Sequence, residues 1–124
     1  MDIARTAPID RQKIQKYGNG RFTVSGTVFT GGVLVLPAQT VNWPATDIAN
    51  LNEDAIGVLL SHAKAFDFCL MGCGPRTLAL PVPLRTRFKQ AGLRVDMMDT
   101  GSACRTYNVL SAEGRAVAAA LVAV

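Results

Sequence analysis

The sequence predicts an α/β sandwich, and three observations indicate this fold class. Short β-type runs separated by glycine turns fill the first third of the chain, an amphipathic helix begins after Asn52, and strand and helix patterns alternate from there onwards. The 124 residues, 49% of them apolar, suffice for a single domain over residues 1–124 with a substantial core. We expect residues 1–10 to be flexible.

The N-terminal third predicts β-structure. Asn19-Gly20 is typical of a tight hairpin turn. Pro37, which lacks an amide donor, ends an apolar run that predicts a fully buried strand. The predicted β-segments of this third are residues 22–24, 28–29, 33–36 and 40–43.

Three helices are predicted in the remainder of the chain. Asn52 is a good N-cap for the first, Gly92 closes the second, and the third is capped by Thr100 and ended by Gly114. The predicted helices cover residues 53–64, 84–91 and 101–112.

Three apolar segments lie between or after these helices. Residues 66–71 and 93–98 each precede a helix and predict two parallel strands. The last segment, 116–124, is rich in alanine, which favours helix. We predict a strand because Gly114 interrupts the helical pattern and the segment ends on a short, partly β-branched run.

Composition excludes several classes of protein. The net charge of +4 comes from basic residues spread along the chain, without the clusters or stacking aromatics typical of a nucleic-acid partner. No apolar run is long enough for a transmembrane segment, and the pattern of the first residues predicts neither a signal peptide nor a transit peptide. Three cysteines, one histidine and no CxxC pair predict neither disulfides nor a metal site. We expect no cofactor and a location in the bacterial cytoplasm.

The loops 72–76 and 99–103 follow the two predicted parallel strands, so they meet at one edge of the sheet, where ligands of α/β folds usually bind. Glycines at 72 and 74 permit positive φ, and backbone amides beside Arg76 could face a small anion. A dinucleotide fingerprint is disfavoured because Thr77 replaces the third glycine. A tight structural turn is the competing interpretation.

Cys73 lies between two glycines, which could expose its thiol, and Arg76 could lower the pKa of that thiol. The single histidine, His62, falls near the end of the first helix and away from the crevice, so a Cys-His pair is unsupported. Cys69 and Cys104 are expected to be small buried hydrophobes.

Polar residues are organised along the third helix. Thr100, Cys104 and Asn108 share one helical face. In the structural interpretation Asn108 is mostly buried and hydrogen-bonds backbone near the 72–76 turn or the start of strand 93–98, and Thr100 only caps the helix. In the functional one these residues line a small polar pocket. The candidate binding residues are Gly72, Cys73, Gly74, Arg76, Asp99, Thr100, Cys104, Arg105 and Asn108.

Three segments resemble the small Mth-type domain family of bacteria and archaea. They are the MGCG loop, the TVNWP segment and the stretch from Met98 to Leu121, which carries the pattern D-T…A-C…N…E-G-R. The eukaryotic members that the chain resembles include the mitochondrial NADH dehydrogenase (complex I) assembly factor and the adipogenesis-associated Mth-domain protein. Members commonly have threonine where this chain has Cys73, which argues against an essential thiol there.

The resemblance implies a three-layer sandwich with a central mixed, mostly parallel β-sheet, flanked by helices and an extra N-terminal β-layer. It implies no established reaction. Two classes of function therefore stay open. One is an interaction or assembly-factor domain that binds a protein partner. The other is a small-anion binder or enzyme that uses the crevice between the 72–76 loop and the 99–105 segment.

Overall fold

The computed structural model describes residues 11–124, and the expected flexibility of residues 1–10 lies outside this range. The strands are β1 (Ile14–Gly18), β2 (Arg21–Val24), β3 (Thr27–Thr30), β4 (Val33–Val35), β5 (Thr40–Asn42), β6 (Phe68–Gly72), β7 (Val95–Met98) and β8 (Val117–Leu121). The α-helices are α1 (Glu53–Ser61), α2 (Val82–Gln90) and α3 (Thr100–Ala112), and two 3₁₀ turns cover Ile48–Asn50 and Ala63–Ala65.

The strands form two sheets. β1, β2 and β3 make an antiparallel sheet in that order, and the second sheet has the order β5-β4-β8-β6-β7. In the second sheet the pairings of β8 with β6 and of β6 with β7 are parallel, whereas β4 is antiparallel to both of its neighbours. The predicted mixed α/β fold is confirmed, as is the parallel pairing of β6 and β7.

Each face of the five-stranded sheet has its own hydrophobic core. Alternate residues of β6 and β8, such as Met71 and Ala120, pack with α1 and α2 on one face, while Leu70 and Ala119 pack with α3, β1 and β2 on the other. Trp43 anchors the first core, and its indole N–H donates to the Ala55 carbonyl at 2.9 Å. The period-two alternation thus places neighbouring residues of one strand in different cores.

The predicted turns and strands are largely confirmed. Asn19 and Gly20 have φ values of 53° and 73°, as a two-residue hairpin turn between β1 and β2 requires. Residues Val117–Leu121 form a fully buried central strand, so the alternative helical interpretation of this segment is wrong. β8 is buried from both sides, which explains why its pattern is a continuous apolar run instead of an alternating one.

The predicted helix ends need correction. α1 stops at Ser61, where His62 caps it and a 3₁₀ turn follows. α2 begins at Val82, two residues earlier than predicted, because proline is well tolerated in the first helical turn. α3 begins at Thr100, and its N-cap is Asp99, whose carboxylate accepts from the Ser102 amide at 3.0 Å. The predicted cap role of Thr100 is therefore wrong. Within residues 11–124, every helix is too short or too polar to cross a bilayer.

Candidate functional site

The two loops of the predicted crevice do meet. Because β7, β6 and β8 run parallel in adjacent positions, Gly72 at the end of β6 lies beside Met98 on one side and Leu121 on the other. The amide of Cys73 donates to the Met98 carbonyl at 2.8 Å, which extends the ladder past the end of β6. At the carboxyl ends of these strands the backbone groups are therefore paired with each other.

Thr100 joins the three chain segments that converge there. Its hydroxyl donates to the Val122 carbonyl at 2.8 Å and accepts from the Gly74 amide at 2.9 Å. Its own amide donates to the Gly74 carbonyl at 2.9 Å. We call these three hydrogen bonds the Thr100 network. Thr100 is 0% exposed, so the network is internal to the fold.

The Thr100 network corrects the expectation that backbone amides of the loop face an anion. The amides of Cys73 and Gly74 are already donated, to Met98 and to Thr100. Placing an anion on them would first require breaking buried hydrogen bonds, which costs about 1–3 kcal/mol for each group left unpaired. At these two amides the geometry agrees with the structural interpretation of the turn.

Gly72 and Gly74 are each constrained to be glycine, for different structural reasons. A Cβ on Gly72 would lie 2.9 Å from the Leu121 side chain and 3.0 Å from the Thr100 Cα, so Gly72 permits close approach between β6 and α3. Gly74 has open space around it but a φ of +106°, which L-residues rarely adopt. The predicted need for positive φ holds at Gly74.

The expected exposure of the Cys73 thiol is wrong. Cys73 is 5% exposed, and its sulfur faces the carbonyls of Met71 and Leu78 at 3.6 and 3.8 Å. It continues the alternation of Cys69 and Met71 one step past the end of β6, so it joins the core beneath α1 and α2. The flanking glycines therefore do not bring its side chain to the surface.

The other two cysteines are buried as predicted. Burial raises the pKa of the Cys69 thiol to about 12, and burial also raises the pKa of the Cys104 thiol to about 12. Cys104 packs in the core between α3 and the sheets. Neither position favours the thiolate form that a nucleophile needs.

We expect all three thiols of the native protein to react slowly with a thiol-specific disulfide reagent at pH 8. At that pH a thiol with a pKa of about 12 is ionised in about one molecule in 10⁴, and burial blocks access to Cys73. The measurement is the release of chromophore over time, with protein unfolded in guanidinium as the control that gives three thiols at once. One thiol reacting within seconds in the native protein would restore the case for nucleophilic chemistry.

Asp99 and Arg105 form a second, more exposed group at the start of α3. The Ser102 hydroxyl and amide donate to the Asp99 carboxylate at 2.6 and 3.0 Å, and these bonds hold its pKa below the usual value. The Arg105 guanidinium donates to the Ser102 hydroxyl at 3.3 Å and to the Tyr17 hydroxyl at 3.1 Å. A Cβ on Gly101 would lie 2.7 Å from the Tyr17 hydroxyl. Sequence reasoning missed Tyr17 and Ser102. The signal for the close approach of Tyr17 was Gly101, a glycine in the first turn of α3.

The expected partner of Asn108 is wrong. Its side-chain oxygen accepts from the Ile14 amide at 3.0 Å, and its nitrogen donates to the Ile14 carbonyl at 2.8 Å. Eight residues of helix place Asn108 about 12 Å along α3 from Thr100, too far to reach the 72–76 loop. Its structural role is as expected, but it fastens α3 to β1.

Replacing Asn108 by leucine should lower the melting temperature by several degrees, because both backbone groups of Ile14 lose their partner at a cost of about 1–3 kcal/mol. Val109→Leu, at the neighbouring exposed position of α3, is the control and should melt like the parent. Thermal unfolding followed by circular dichroism measures both. An Asn108→Leu variant that melts like the parent would remove this structural role.

The nine candidate residues thus divide into separate groups. Gly74 and Thr100 share the Thr100 network, and Gly72 packs against Thr100. Asp99 and Arg105 meet through Ser102, and Arg76 is exposed in the loop. Cys73 lies in the core beneath α1 and α2, Cys104 lies in the core beneath α3, and Asn108 bonds β1. In the part of the chain that the structure describes, the His, Cys, Asp and Glu side chains form no group that could hold a metal ion.

Open surface pockets occur elsewhere. One of about 300 Å³ lies between the start of β1 and the end of α3, beside Arg11, Lys13 and Asn108. Another of about 340 Å³ lies on the three-stranded sheet, beside Lys16, Arg21 and Val28. Both are bordered by basic side chains.

A family model for "Protein of unknown function (DUF498/DUF598)" matches residues 14–122. The chain belongs to the DUF498/DUF598 family. The resemblance to the Mth-type domain family is confirmed, since a solved structure of a Bordetella pertussis protein, described as an Mth938-like domain, superposes with a TM-score of 0.74 at 27% identity. It covers 94% of this chain and 89% of that chain.

Relatives of this DUF498/DUF598 chain include proteins with a named role. NADH dehydrogenase [ubiquinone] 1 alpha subcomplex assembly factor 3 of Bos taurus is 29% identical over 120 residues, which are 97% of this chain and 65% of that protein. The chain therefore spans less than two thirds of that factor's length. An uncharacterized protein of Rhodobacter capsulatus is 35% identical over 109 residues, or 88% of this chain and 82% of that one.

The fold is also shared with an outer membrane protein from Bartonella henselae. That crystal structure has a TM-score of 0.81 and 34% identity and covers 91% of this chain and 95% of that chain. The DUF498/DUF598 fold therefore occurs in proteins with different descriptions, so the fold alone does not decide the function.

Proposed function

We propose that this chain is an assembly-factor-type domain that binds protein subunits during the construction of an NADH dehydrogenase complex. The observation that carries the proposal is the 29% identity to NADH dehydrogenase assembly factor 3 across 97% of this chain. A match of this extent includes both cores and all the elements that frame the crevice. It is a likeness of the whole domain and not of one motif.

The geometry of the candidate site supports binding over chemistry. Thr100, the residue at the centre of the predicted crevice, uses its hydroxyl and amide within the fold. The Cys73 and Cys104 thiols lie in hydrophobic cores. These side chains stabilise the junction of β6, β7, β8 and α3, and this rigid junction leaves the surfaces of the domain for a partner.

The named relatives support a protein of the respiratory chain as the partner class. We propose a subunit or subcomplex of an NADH dehydrogenase, met on the cytoplasmic side in a bacterium. The chain has a formal net charge of +4, which favours association with acidic surfaces at low ionic strength.

The test is deletion of the gene for this chain in the organism that encodes it. The amount of assembled NADH dehydrogenase is measured on native gels and by NADH oxidation in isolated membranes, with succinate dehydrogenase activity as the control. We expect NADH dehydrogenase to fall in the deletion strain while succinate dehydrogenase stays constant, and a plasmid copy of the chain to restore it. Unchanged NADH dehydrogenase in the deletion strain would overturn the proposal.

A further inference from the structure

The three-stranded sheet has an edge that differs from ordinary protected edges. β3 lies at the end of the order β1-β2-β3, and within residues 11–124 no strand pairs with its outer side. Its sequence, Thr27–Thr30, contains no charge and no proline, and its register with β2 is regular, without a bulge. Natural edge strands usually carry a charged residue, a proline or a bulge, which prevents pairing with another chain.

The hydrogen-bonding groups of this edge can be assigned from the register. A two-residue turn at Ser25-Gly26 makes Val24 and Thr27 a hydrogen-bonded pair, and the pattern then alternates along the ladder. The bond from the Gly31 amide to the Gly20 carbonyl at 2.8 Å fits this alternation. The amides and carbonyls of Val28 and Thr30 therefore point away from β2.

The side chains of the edge are accessible as well. Val28 is 60% exposed, one of the most exposed large apolar residues of the described chain, and Thr27 and Thr30 are exposed. Phe29 points to the opposite face and packs against the core of α3 and β1, which holds the strand in place. An added strand would meet a fixed backbone and an apolar side chain.

The charge around this edge indicates what kind of strand it would take. Residues 11–46 contain four basic residues and no acidic residue. Two of them, Lys16 and Arg21, lie on the outer face of the sheet in register with Thr23 and Thr30, on the same side as Val28. A strand added to β3 would lie about 10 Å from β2, close enough for its carboxylates to meet the Arg21 guanidinium.

We propose that the outer edge of β3 is a docking site for an extended, acidic segment of a protein partner, which adds to the sheet as a fourth strand. A row of outward amides and carbonyls pairs with a polypeptide backbone, which neither a lipid nor a nucleic acid supplies. A second copy of this chain is disfavoured because pairing β3 with β3 would bring two basic sheets together. The inference deepens the proposed function, on which it rests for the partner being a protein.

The test is titration of the full chain, labelled with ¹⁵N, with a blocked heptapeptide in which glutamate and valine alternate. We expect amide shifts to change at Val28 and Thr30, and the amides of these residues to become protected from hydrogen exchange. A peptide in which lysine replaces glutamate should leave the spectrum unchanged. Absence of shifts at millimolar acidic peptide, or shifts centred on another surface, would overturn the proposal.

Two pairs of variants separate backbone pairing from charge. Val28→Pro removes an outward amide without touching the β2 ladder and should abolish the shifts, whereas Val28→Thr keeps the amide and should still bind. Arg21→Glu should weaken binding at least about tenfold, and Lys89→Glu, which changes the charge equally on exposed α2, should not. Equal binding by Val28→Pro and the parent would contradict strand addition.

The free protein provides the remaining outcomes. Slow exchange of the Val28 and Thr30 amides without peptide would mean that residues 1–10 or a second copy already covers the edge, which overturns the proposal. Failure of the two proposals can be told apart. Peptide binding at β3 with normal NADH dehydrogenase in the deletion strain would retain the docking site and reject the assembly role. A lack of peptide binding together with defective assembly would reject the docking site and retain the assembly role.

Discussion

Replacing Gly32 by alanine should destabilise the protein more than any other single methyl addition at a glycine. A Cβ at this position would lie 2.5 Å from the Trp43 carbonyl oxygen and 3.0 Å from those of Ala45 and Leu121. These are backbone atoms of two segments, residues 43–45 and the end of β8, so none can move away as a side chain could. Overpacking of this kind costs about 3 kcal/mol or more, which corresponds to a fall of about 10 °C in melting temperature.

Gly57→Ala is the matched control. Gly57 lies in α1, and its Cβ would meet no atom within 4 Å, so alanine should raise stability by about 0.5–1 kcal/mol through its helix propensity. Chemical denaturation of both variants gives the two free energies of unfolding. If Gly32→Ala loses less than 1 kcal/mol, the close approach of these carbonyls is not a constraint on the fold.

Thr100→Val should produce the second large loss. Valine keeps the shape of the side chain but removes the hydroxyl, which leaves the Gly74 amide and the Val122 carbonyl buried without partners. Two unpaired groups cost about 2–6 kcal/mol together. The backbone bond from the Thr100 amide to the Gly74 carbonyl remains, but the Gly74 amide loses its acceptor, so hydrogen exchange should quicken at that amide.

The control for this substitution is Thr86→Val, on the exposed side of α2, where the same chemical change removes no buried hydrogen bond. We expect it to melt within a degree or two of the parent. A Thr100→Val variant as stable as Thr86→Val would show that the Thr100 network contributes little to the stability of the fold. The functional interpretation, in which the Thr100 hydroxyl binds a ligand, would then be favoured.

Local chemistry was enough to predict much of the fold. Asn19-Gly20 forms its turn and Asn52 caps α1 as expected, because each effect acts within a few residues. The choice of strand for 116–124 was correct in type, because Gly114 separates this segment from α3, although the strand itself spans only Val117–Leu121. The expected exposure of the Cys73 thiol was wrong, although the alternation of buried side chains from Cys69 through Met71 already indicated that Cys73 points into the core.

The site itself depends on contacts distant in sequence, which no local pattern encodes. Asn108 bonds Ile14, 94 positions away, and Thr100 bonds Val122, 22 positions away. Thr100 was expected to cap α3 because threonine is a common N-cap, but Asp99 has that role and leaves the Thr100 hydroxyl free to join the strands. Nothing in the local sequence singles out Gly32, since the carbonyls around it come from later in the chain.

We propose that the domain acts through a binding surface and not through chemistry at the 72–76 loop. The most direct measurement is rescue of assembled NADH dehydrogenase in the deletion strain by the Arg76→Ala variant, compared with the parent chain at equal expression. Arg76 is exposed in that loop and is the side chain that an anion site there would need most. We expect full rescue by Arg76→Ala. Loss of rescue by this variant, while the protein stays folded, would contradict it and place the function at the loop.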